Sequence, residues 1–225
     1  KIPLLPHFNG AKIMNTKITL KKIIGHLRTI HLHRKWVRYF CFKFGLYKQG
    51  LLHDLSKYSP TEFWESIRYY SGTDSPINAA KKDKGYSDAW LHHRGRNMHH
   101  YVAWIDNFDK GGTPIPMPYK YMMELVADYL GAGAAYSKIK SKKDINEIFY
   151  RNEYKWWERN KEGQVINPVT KDWIEYYLKN FCMNSTFLQE ERWQAYRKTG
   201  RVADEIVYEN RCTEEFHKLK EILNA

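Results

Sequence analysis

The sequence lacks the features of a membrane-spanning or secreted protein. No stretch approaches the roughly 18–20 consecutive apolar residues that a transmembrane helix needs, and no basic segment leads into an apolar run with a small-residue cleavage site. Its three cysteines, Cys41, Cys182 and Cys212, are far apart and lack the close spacing of a zinc-binding motif. An odd number of distant cysteines is typical of reduced thiols. We therefore expect a cytoplasmic protein without a membrane partner.

The sequence also has no internal repeat and no clear signal for β-structure. Apolar and polar residues do not alternate as they do along a half-buried strand, and no turn sequence joins two such strands. Residues that would share one side of a helix instead recur every three or four positions, which is the period of a buried helix face. His26, Ile30 and His33 begin such a stripe on a helix predicted from Thr16 to about Phe44. The predicted fold class is an all-α helical bundle.

The predicted helices divide the chain into a leader, a core and an extension. Residues 1–13, KIPLLPHFNGAKI, contain two prolines and a glycine and are predicted to be a poorly ordered leader. Residues 14–140 are predicted to form the helical core, and residues 141–225 a helical extension of unknown role. Further helices are predicted from Ser59, from Pro118, over residues 143–158, from Lys171 to Phe181 and from about Thr186. The segments 71–88 and 106–118 are rich in turn-forming residues. Residues 71–88 are predicted to be a loop or a short helical turn, and residues 106–118 a loop.

The composition favours a large core and an acidic partner. Hydrophobic residues make up 43% of the chain and aromatic residues 16%, while the formal net charge is +12. A strongly basic chain favours a nucleotide, another phosphorylated compound or nucleic acid as its partner. The Lys and Arg residues are spread along the chain without one dense block. This distribution favours a diffuse positive field over a dedicated nucleic-acid-binding arm.

Residues 50–63, GLLHDLSKYSPTEF, place the adjacent pair His53-Asp54 after two leucines. An imidazole and a carboxylate in apolar surroundings are costly unless they are neutralised or bind a metal. The segment then enters a helix through SPTE (residues 59–62), whose Ser at N-cap, Pro at N1 and Glu at N3 form a capping box. On this segment alone, a local hydrogen bond between His53 and Asp54 explains the pair as well as a functional site does.

Helical geometry separates the inward histidines from the outward ones. At 100° per residue, His31 lies about 160° around the first helix from His33, so His31 should face solvent and His33 the core. A single inward histidine is more often a hydrogen-bonded core residue than a ligand. The pair His53-Asp54 and Asp128, which shares a helix face with small and apolar residues, are three further inward groups. Four nitrogen and oxygen donors on separate helices are what a divalent metal site in a bundle requires.

The segment AWLHHRGRNMHHYVAW (residues 89–104) contains two His-His pairs. If it is helical throughout, His93 and His100 share one face and His92 and His99 share another, although a central glycine weakens the helix. Two such pairs within nine residues are hard to explain as solvated surface. We expect at least one of the four histidines to contact a metal or a substrate.

The order of these residues resembles the HD superfamily of metal-dependent phosphohydrolases. The resemblance implies an HD-like fold and a first metal held by His33, His53, Asp54 and Asp128. The sequence HDLSK is similar to the HD-x-[GS]-K motif of cyclic-dinucleotide phosphodiesterases, in which the lysine, here Lys57, lies near the phosphate. In two-metal members, histidines between the HD pair and the last Asp hold the second ion. That role is open to His93, His99 and His100, so the implied cofactor is one or two divalent ions of Mn, Mg, Fe, Ni, Co or Zn.

Over about residues 16–136 the chain more closely resembles an uncharacterised family of bacterial and phage proteins. Its members share the stretches HDLSK-x-S-x-x-EF and HH-x-x-x-N-x-HH, and they have a predicted HD-like fold but no settled reaction. The glycine-rich recognition motif of the cyclic-dinucleotide enzymes is absent. The glutamate that nucleotidases place three residues after the HD pair is Lys57 here. Glu62 is a candidate for that role, although the capping box explains it equally well.

The resemblance implies a phosphatase or phosphodiesterase that acts on a nucleotide or another phosphorylated substrate. The expected catalytic residues are Asp54, Lys57 and Asn97. Lys57, Arg94 and Arg96 are expected to bind the substrate, because positioned cations offset developing phosphate charge.

Two other functions are compatible with the same sequence. Some HD-fold proteins hold two irons with a similar set of ligands and activate oxygen. A catalytically inactive HD-like module would instead bind nucleic acid or protein, through basic and aromatic stretches such as YRNEYKWWERNK (residues 150–161). Nucleic-acid binding by such a module would weaken steeply with salt and would not depend on metal.

Overall fold

Helices make up nearly all of the regular structure in residues 17–137, 152–183 and 194–224, which are the residues that the computed structural model describes. The α-helices, in chain order, are α1 Leu20–Lys43, α2 Tyr47–Leu52, α3 Pro60–Tyr69, α4 Pro76–Lys84, α5 Asp88–Arg94, α6 Tyr119–Tyr136, α7 Asn152–Asn160, α8 Pro168–Met183 and α9 Arg201–Asn224. Shorter helical turns cover Leu55–Tyr58, Tyr101–Trp104, Phe108–Lys110, Lys161–Gly163 and Tyr196–Gly200. The predicted all-α helical bundle is confirmed.

The bundle is built around α1 and α6, which form its most extensive helix pair. The apolar stripe of α1 is buried in this contact, with Val37 and Phe40 almost inaccessible to solvent. Gly131 of α6 permits the close approach, because a Cβ at that position would overlap the backbone of Val37. The pairing brings Nε2 of His33 on α1 to 3.1 Å from Oδ1 of Asp128 on α6.

The three C-terminal helices pack onto α6 and complete the same hydrophobic core. Trp157 of α7, Tyr177 of α8 and Tyr208 of α9 are fully buried. The Tyr208 hydroxyl donates a hydrogen bond of 2.6 Å to the carbonyl of Met117, just before α6 begins. These helices therefore share their core with the residues of the predicted N-terminal unit. The predicted boundary after residue 140 lies outside the described residues, as does the predicted leader.

Two segments are settled by the structure where the sequence left alternatives. The segment 71–88, predicted to be a loop or a short helical turn, contains the nine-residue α4, which begins with Pro76 at N1 and buries Ala79 and Ala80. A glycine in the left-handed region, Gly85 at φ 82°, ends it. The segment 89–104 is not one continuous helix, because α5 ends at Arg94 and the chain then turns.

The predicted loop 106–118 contains three of the four residues of a very small antiparallel sheet. Strand β1 spans Ile105–Asp106 and strand β2 spans Thr113–Pro114. Ile105 pairs with Pro114 and Asp106 with Thr113. This hairpin leads directly into α6, which begins after Pro118 as the sequence predicted.

The remaining helix boundaries agree approximately with those predicted. α8 begins at Pro168 and ends at Met183, a few residues beyond each end of the predicted helix. The helix predicted over residues 143–158 lies partly outside the described residues. The predicted start of the last helix, near Thr186, also lies outside them. All three cysteines are buried free thiols. Among the described residues, no helix is long and apolar enough to span a membrane.

Candidate metal centre

Four regions of the bundle bring histidine and aspartate side chains to one buried point. His33 comes from α1 and Asp128 from α6, while His53 and Asp54 follow the end of α2. His93 lies on α5, and two further histidines, His99 and His100, lie in the turn after it. His31 is exposed and His33 is buried, so the helical-face prediction for this pair is confirmed.

The turn at His53-Asp54 has an uncommon backbone that aims both side chains inward. Asp54 lies in the left-handed region at φ 54° and ψ 27°, which non-glycine residues adopt rarely and often at functional sites. Arg34 of α1 supports the turn by donating hydrogen bonds to the carbonyl of His53 at 2.9 Å and to that of Leu51 at 3.0 Å. The guanidinium thereby fixes the HD pair against α1.

The first ligand group consists of His33, His53, Asp54 and Asp128. Nε2 of His33 lies 3.1 Å from Oδ2 of Asp54 and 3.1 Å from Oδ1 of Asp128. Nε2 of His53 lies 3.3 Å and 3.4 Å from the same two oxygens. Ligand atoms placed about 2.0–2.2 Å from one ion are roughly 3–3.6 Å apart. The four atoms are therefore spaced as the ligands of a single ion would be.

The second ligand group consists of Asp54, His93, His99 and His100. Oδ1 of Asp54 lies 3.3 Å from Nε2 of His93 and 3.6 Å from Nε2 of His99. Since Oδ2 of Asp54 belongs to the first group and Oδ1 to the second, this carboxylate bridges them. Seven side chains thus provide two adjacent groups that share one aspartate.

Several polar atoms at this point are buried and unpaired. Oδ1 of Asp54, Nε2 of His99 and Nε2 of His100 have no hydrogen-bond partner among the described residues. Burial, together with the neighbouring His99 and His93, lowers the pKa of His100 well below its usual value, so this imidazole is neutral. Unpaired buried polar atoms are rare because each is costly. A divalent ion would satisfy them, so the donor set fits a metal.

The charged groups at the centre stabilise one another. Burial alone would raise the pKa of Asp54, but His53, Lys57 and His93 hold it well below its usual value. Burial also disfavours the ionised form of Asp128, yet its contacts with His33 and His53 lower its pKa strongly. Both carboxylates are therefore anionic and able to bind a cation. The Lys57 ammonium lies 2.6 Å from Oδ2 of Asp54.

Two buried glutamates contact the histidines from the side away from Asp54: Glu124, which was not predicted as a site residue, and Glu62, which was a candidate beside its capping-box role. Oε1 of Glu124 accepts hydrogen bonds from Nδ1 of His53 at 3.0 Å and Nδ1 of His99 at 3.3 Å. Glu62 accepts from Nδ1 of His92 at 2.6 Å and Nδ1 of His93 at 2.8 Å. Glu124 lies one helical turn before Asp128 on the same face of α6, which is a signal that the sequence offered.

The capping box predicted at residues 59–62 is only half formed. The Ser59 hydroxyl accepts the backbone N–H of Glu62 at 3.4 Å, as expected. The Glu62 carboxylate instead faces the two histidines of α5. Its burial and its histidine partners identify Glu62 as part of the centre, so helix capping alone does not explain this residue.

A family model described as a family of unknown function, DUF5662, matches residues 22–180. The chain belongs to the DUF5662 family. The matched region contains both ligand groups as well as Glu62 and Glu124. Comparisons with curated proteins and with solved structures returned no match. The family assignment agrees with the resemblance to an uncharacterised family, and it adds nothing on a relation to the HD superfamily.

In this DUF5662 protein, one cavity reaches the ligand-facing side of the centre. It has a volume of about 210 Å³, and its walls include His33, Lys57, Asp128 and Tyr136. The side chain of Asp128 is 15% exposed and that of Lys57 26%, whereas those of His53 and Asp54 are 0% and 1% exposed. A second cavity of about 460 Å³ shares four wall residues with the first: Thr29, Pro76, Ala135 and Tyr136.

A third cavity, of about 280 Å³, lies behind the centre on the side of Glu124. Its walls include three cationic side chains, Lys48, Arg96 and Lys120. Arg96 is therefore separated from the cavity that Lys57 lines, and Arg94 is exposed and lines none of these three cavities. Arg96 shares the walls of the 280 Å³ cavity with His53 and His99, whereas Arg94 lines none of the three cavities. The expected substrate-binding role of the two arginines stays a prediction.

Asn97 supports the centre from the turn after α5. Its amide group donates to the Ser56 hydroxyl at 2.9 Å and to the His93 carbonyl at 2.8 Å. These hydrogen bonds connect the end of α5, where His93 lies, to Ser56 in the segment that follows His53-Asp54. Asn97 lines the 280 Å³ cavity rather than the one beside Lys57.

Proposed function

We propose that the protein is a metal-dependent phosphohydrolase, a phosphatase or phosphodiesterase that acts on a nucleotide or another phosphorylated molecule. One observation carries the proposal. Asp54 bridges two groups of imidazole and carboxylate ligands, and a lysine ammonium contacts the same carboxylate beside an accessible cavity. The motif resemblance to the HD superfamily and the net charge of +12 support the same function.

The donor set indicates which ions would suit the centre. Mixed imidazole and carboxylate ligands suit Mn, Fe, Co, Ni or Zn better than Mg, which prefers oxygen ligands. Divalent ions held by the two ligand groups would polarise a phosphoryl oxygen and lower the pKa of a bound water.

The residues around the 210 Å³ cavity supply the rest of the chemistry. Lys57 stays protonated, because burial lowers its pKa less than Asp54 and Asp128 raise it. Its ammonium would offset the charge that develops on the phosphoryl oxygens. Hydrolysis adds water across the ester P–O bond, so a proton leaves the water and the departing alcohol gains one. Asp128, anionic and partly exposed in this cavity, would orient that water by accepting a hydrogen bond from it, and the released proton would pass to solvent.

The two neighbouring cavities, which have four wall residues in common, suggest how a phosphorylated molecule would lie. Typical small-molecule sites measure roughly 300–1,000 Å³, so the 210 Å³ cavity is large enough for little more than the phosphoryl end. The 460 Å³ cavity beyond the shared wall would hold the organic part. Tyr70 and Tyr136 offer it aromatic surface, and Arg28 offers a cation.

The test combines a substrate screen with a pair of lysine variants. The metal content of the purified protein is measured, and phosphomonoesters and phosphodiesters are assayed with each of the ions named above. Lys57→Ala should retain metal and lower kcat about 10²–10³-fold, since a group that stabilises transition-state charge contributes that much. Lys48→Ala, which removes an exposed lysine behind the centre, is the matched control and should change kcat little. If no phosphate ester is hydrolysed with any ion, the proposal is wrong.

An iron-dependent oxygenase is the second candidate, and the histidine content of the centre favours it. Five imidazoles and two carboxylates make up the two ligand groups, and imidazole suits iron well. Such an enzyme acting on an uncharged substrate would tolerate Lys57→Ala. Iron in the purified protein together with oxygen consumption, and without phosphate release, would favour this candidate over the first.

A further inference from the structure

We infer that Glu62 and Glu124 are positioning residues that orient the metal-binding imidazoles, Glu124 for both ligand groups and Glu62 for the second group alone. The inference rests on the metal centre of the proposed function but not on the reaction that the centre performs. Neither glutamate contributes an atom to the two groups that share Asp54, and both lie immediately behind them. Glu124 also forms, with His53 and His99, a third group of side chains spaced closely enough to hold an ion.

The hydrogen bonds determine which ring nitrogen of each histidine faces the metal centre. An anionic carboxylate can only accept, so each Nδ1 that contacts a glutamate must carry the hydrogen. Nε2 of His53 and Nε2 of His93 then point at the Asp54 carboxylate, at 3.3 Å each. Metal-binding histidines commonly donate their other N–H to a carboxylate, which fixes the ring and increases its basicity.

The burial of the two glutamates supports this role. Glu62 is 3% exposed and Glu124 6% exposed. Oε1 of Glu124 lies 3.0 Å and 3.3 Å from Nδ1 of His53 and of His99, and the Glu62 carboxylate lies 2.6 Å and 2.8 Å from Nδ1 of His92 and of His93. Buried carboxylates seldom persist without such partners, and each of these two is bonded to a pair of imidazoles. Each buried glutamate is thus held in place by the two imidazoles that it contacts.

The two glutamates differ in which ligand group they serve. Glu124 contacts His53 of the first group and His99 of the second, through a single oxygen, Oε1. Glu62 contacts His93 of the second group, and its other partner, His92, belongs to neither group. Loss of Glu124 should therefore disturb both groups, and loss of Glu62 only the second.

Glu65 provides a matched control on the same helix. It lies three residues after Glu62 on α3 and is 6% exposed. Its carboxylate accepts from the Ser87 hydroxyl at 2.6 Å and the Ala89 N–H at 2.6 Å, so it supports the start of α5 without contacting a histidine. Glu65→Gln therefore tests for a purely structural effect of neutralising a buried glutamate at this place.

The experiment titrates Mn²⁺ into the metal-free full-length chain and its Glu62→Gln, Glu124→Gln and Glu65→Gln variants by calorimetry. Glu62→Gln should weaken one Mn²⁺ site about 10- to 100-fold, the usual effect of losing such a partner, and leave the other within about threefold. Glu124→Gln should weaken both sites. Glu65→Gln should lower the melting temperature and leave both affinities unchanged.

A spectroscopic measurement separates positioning from general loosening of the fold. In the Zn²⁺-loaded protein, Nδ1–H protons that donate to a buried carboxylate exchange slowly and give resolved downfield proton resonances. Glu62→Gln should move the His93 resonance and leave that of His53 in place. Glu124→Gln should move those of His53 and His99.

Several results would overturn the inference. Equal loss of both Mn²⁺ sites in Glu62→Gln would contradict it, as would the same affinities in Glu62→Gln and Glu65→Gln. If the wild-type chain binds one ion only, Glu124→Gln must still weaken it. A chain that binds Mn²⁺ as described but hydrolyses no phosphate ester would refute the proposed function and leave the inference standing. A chain that binds no divalent ion would refute both.

Discussion

Asp54 contributes an oxygen to each ligand group, and its backbone is held in the left-handed region. Asp54→Ala should therefore abolish metal binding at both groups, and hydrolysis with it. Metal content after dialysis against Mn²⁺ or Zn²⁺ and the rate of phosphate release measure the two effects. Asp109→Ala changes an exposed aspartate in the loop between β1 and β2 and should leave both unchanged. Full activity of metal-free Asp54→Ala protein would end the metallohydrolase proposal.

His26 should make the protein less stable in mild acid. Burial, aided by the positive charge of Lys57, lowers the pKa of His26 to about 4 from 6.5. Its ring packs between Phe63 and Tyr70, and Nδ1 has no partner among the described residues. The unfolded chain therefore binds a proton below about pH 6.5 that the folded chain takes up only near pH 4.

The lowered pKa of His26 determines how the free energy of unfolding changes with pH. The contribution is fully present above pH 6.5 and is lost as the pH falls from 6.5 towards 4, amounting to about 3 kcal/mol at 1.36 kcal/mol per pKa unit. Urea unfolding of the wild type and of His26→Phe, both in chelator, should show that the variant loses less stability over this range. The groups of the metal centre titrate equally in both proteins, so their effect cancels when the two free energies of unfolding are subtracted. If the two free energies fall in parallel with decreasing pH, His26 is not the group that causes the acid sensitivity.

At the scale of helices, Gly131 controls the distance between α1 and α6. Gly131→Ala would place a Cβ against the backbone of Val37, which cannot move aside as a flexible side chain could. Overpacking of this kind typically costs about 1–3 kcal/mol. Because His33 lies on α1 and Asp128 on α6, we also expect weaker binding of the ion in the first ligand group.

Calorimetry and a Mn²⁺ titration check both consequences of Gly131→Ala. Gly163→Ala is the control, since nothing lies within 4 Å of a Cβ at that position. It should change neither the melting temperature nor the metal affinity. If Gly131→Ala proves as stable as the wild type, the two helices can separate without cost and the packing argument is wrong.

The helix faces explain which parts of the site the sequence could predict. His33 and Asp128 lie on periodic apolar stripes, so their inward direction follows from 100° per residue, and His31 faces outward for the same reason. Glu62 was assigned to a local capping box, because its partners on α5 are about 30 residues away and no local pattern reports them. A continuous helix would have put His99 on a different face from His93 and His100, whereas the turn after Arg94 brings all three into one ligand group.

At the scale of the whole molecule, the C-terminal helices complete the core that carries the site. Phe44, the residue after α1, packs edge-on against Tyr177 of α8, with ring centroids 6.0 Å apart. The Tyr119 hydroxyl of α6 lies 2.8 Å from that of Tyr177. Removing α7–α9 would expose these aromatic faces of α1 and α6, the two helices that supply His33 and Asp128.

A fragment of residues 14–140 should therefore fail to fold cooperatively on its own. Burial of aromatic side chains supplies much of the stabilisation of a core, and the fragment lacks Trp157, Tyr177 and Tyr208 from the shared cluster. We expect it to show reduced helicity, no sharp thermal transition and no metal binding. Co-expression with residues 141–225 should restore the helicity, the sharp thermal transition and the metal binding, because the two pieces would rebuild one core. Circular dichroism and a Mn²⁺ titration measure the outcome. A fragment that melts cooperatively and binds Mn²⁺ by itself would show that residues 14–140 are an independent domain.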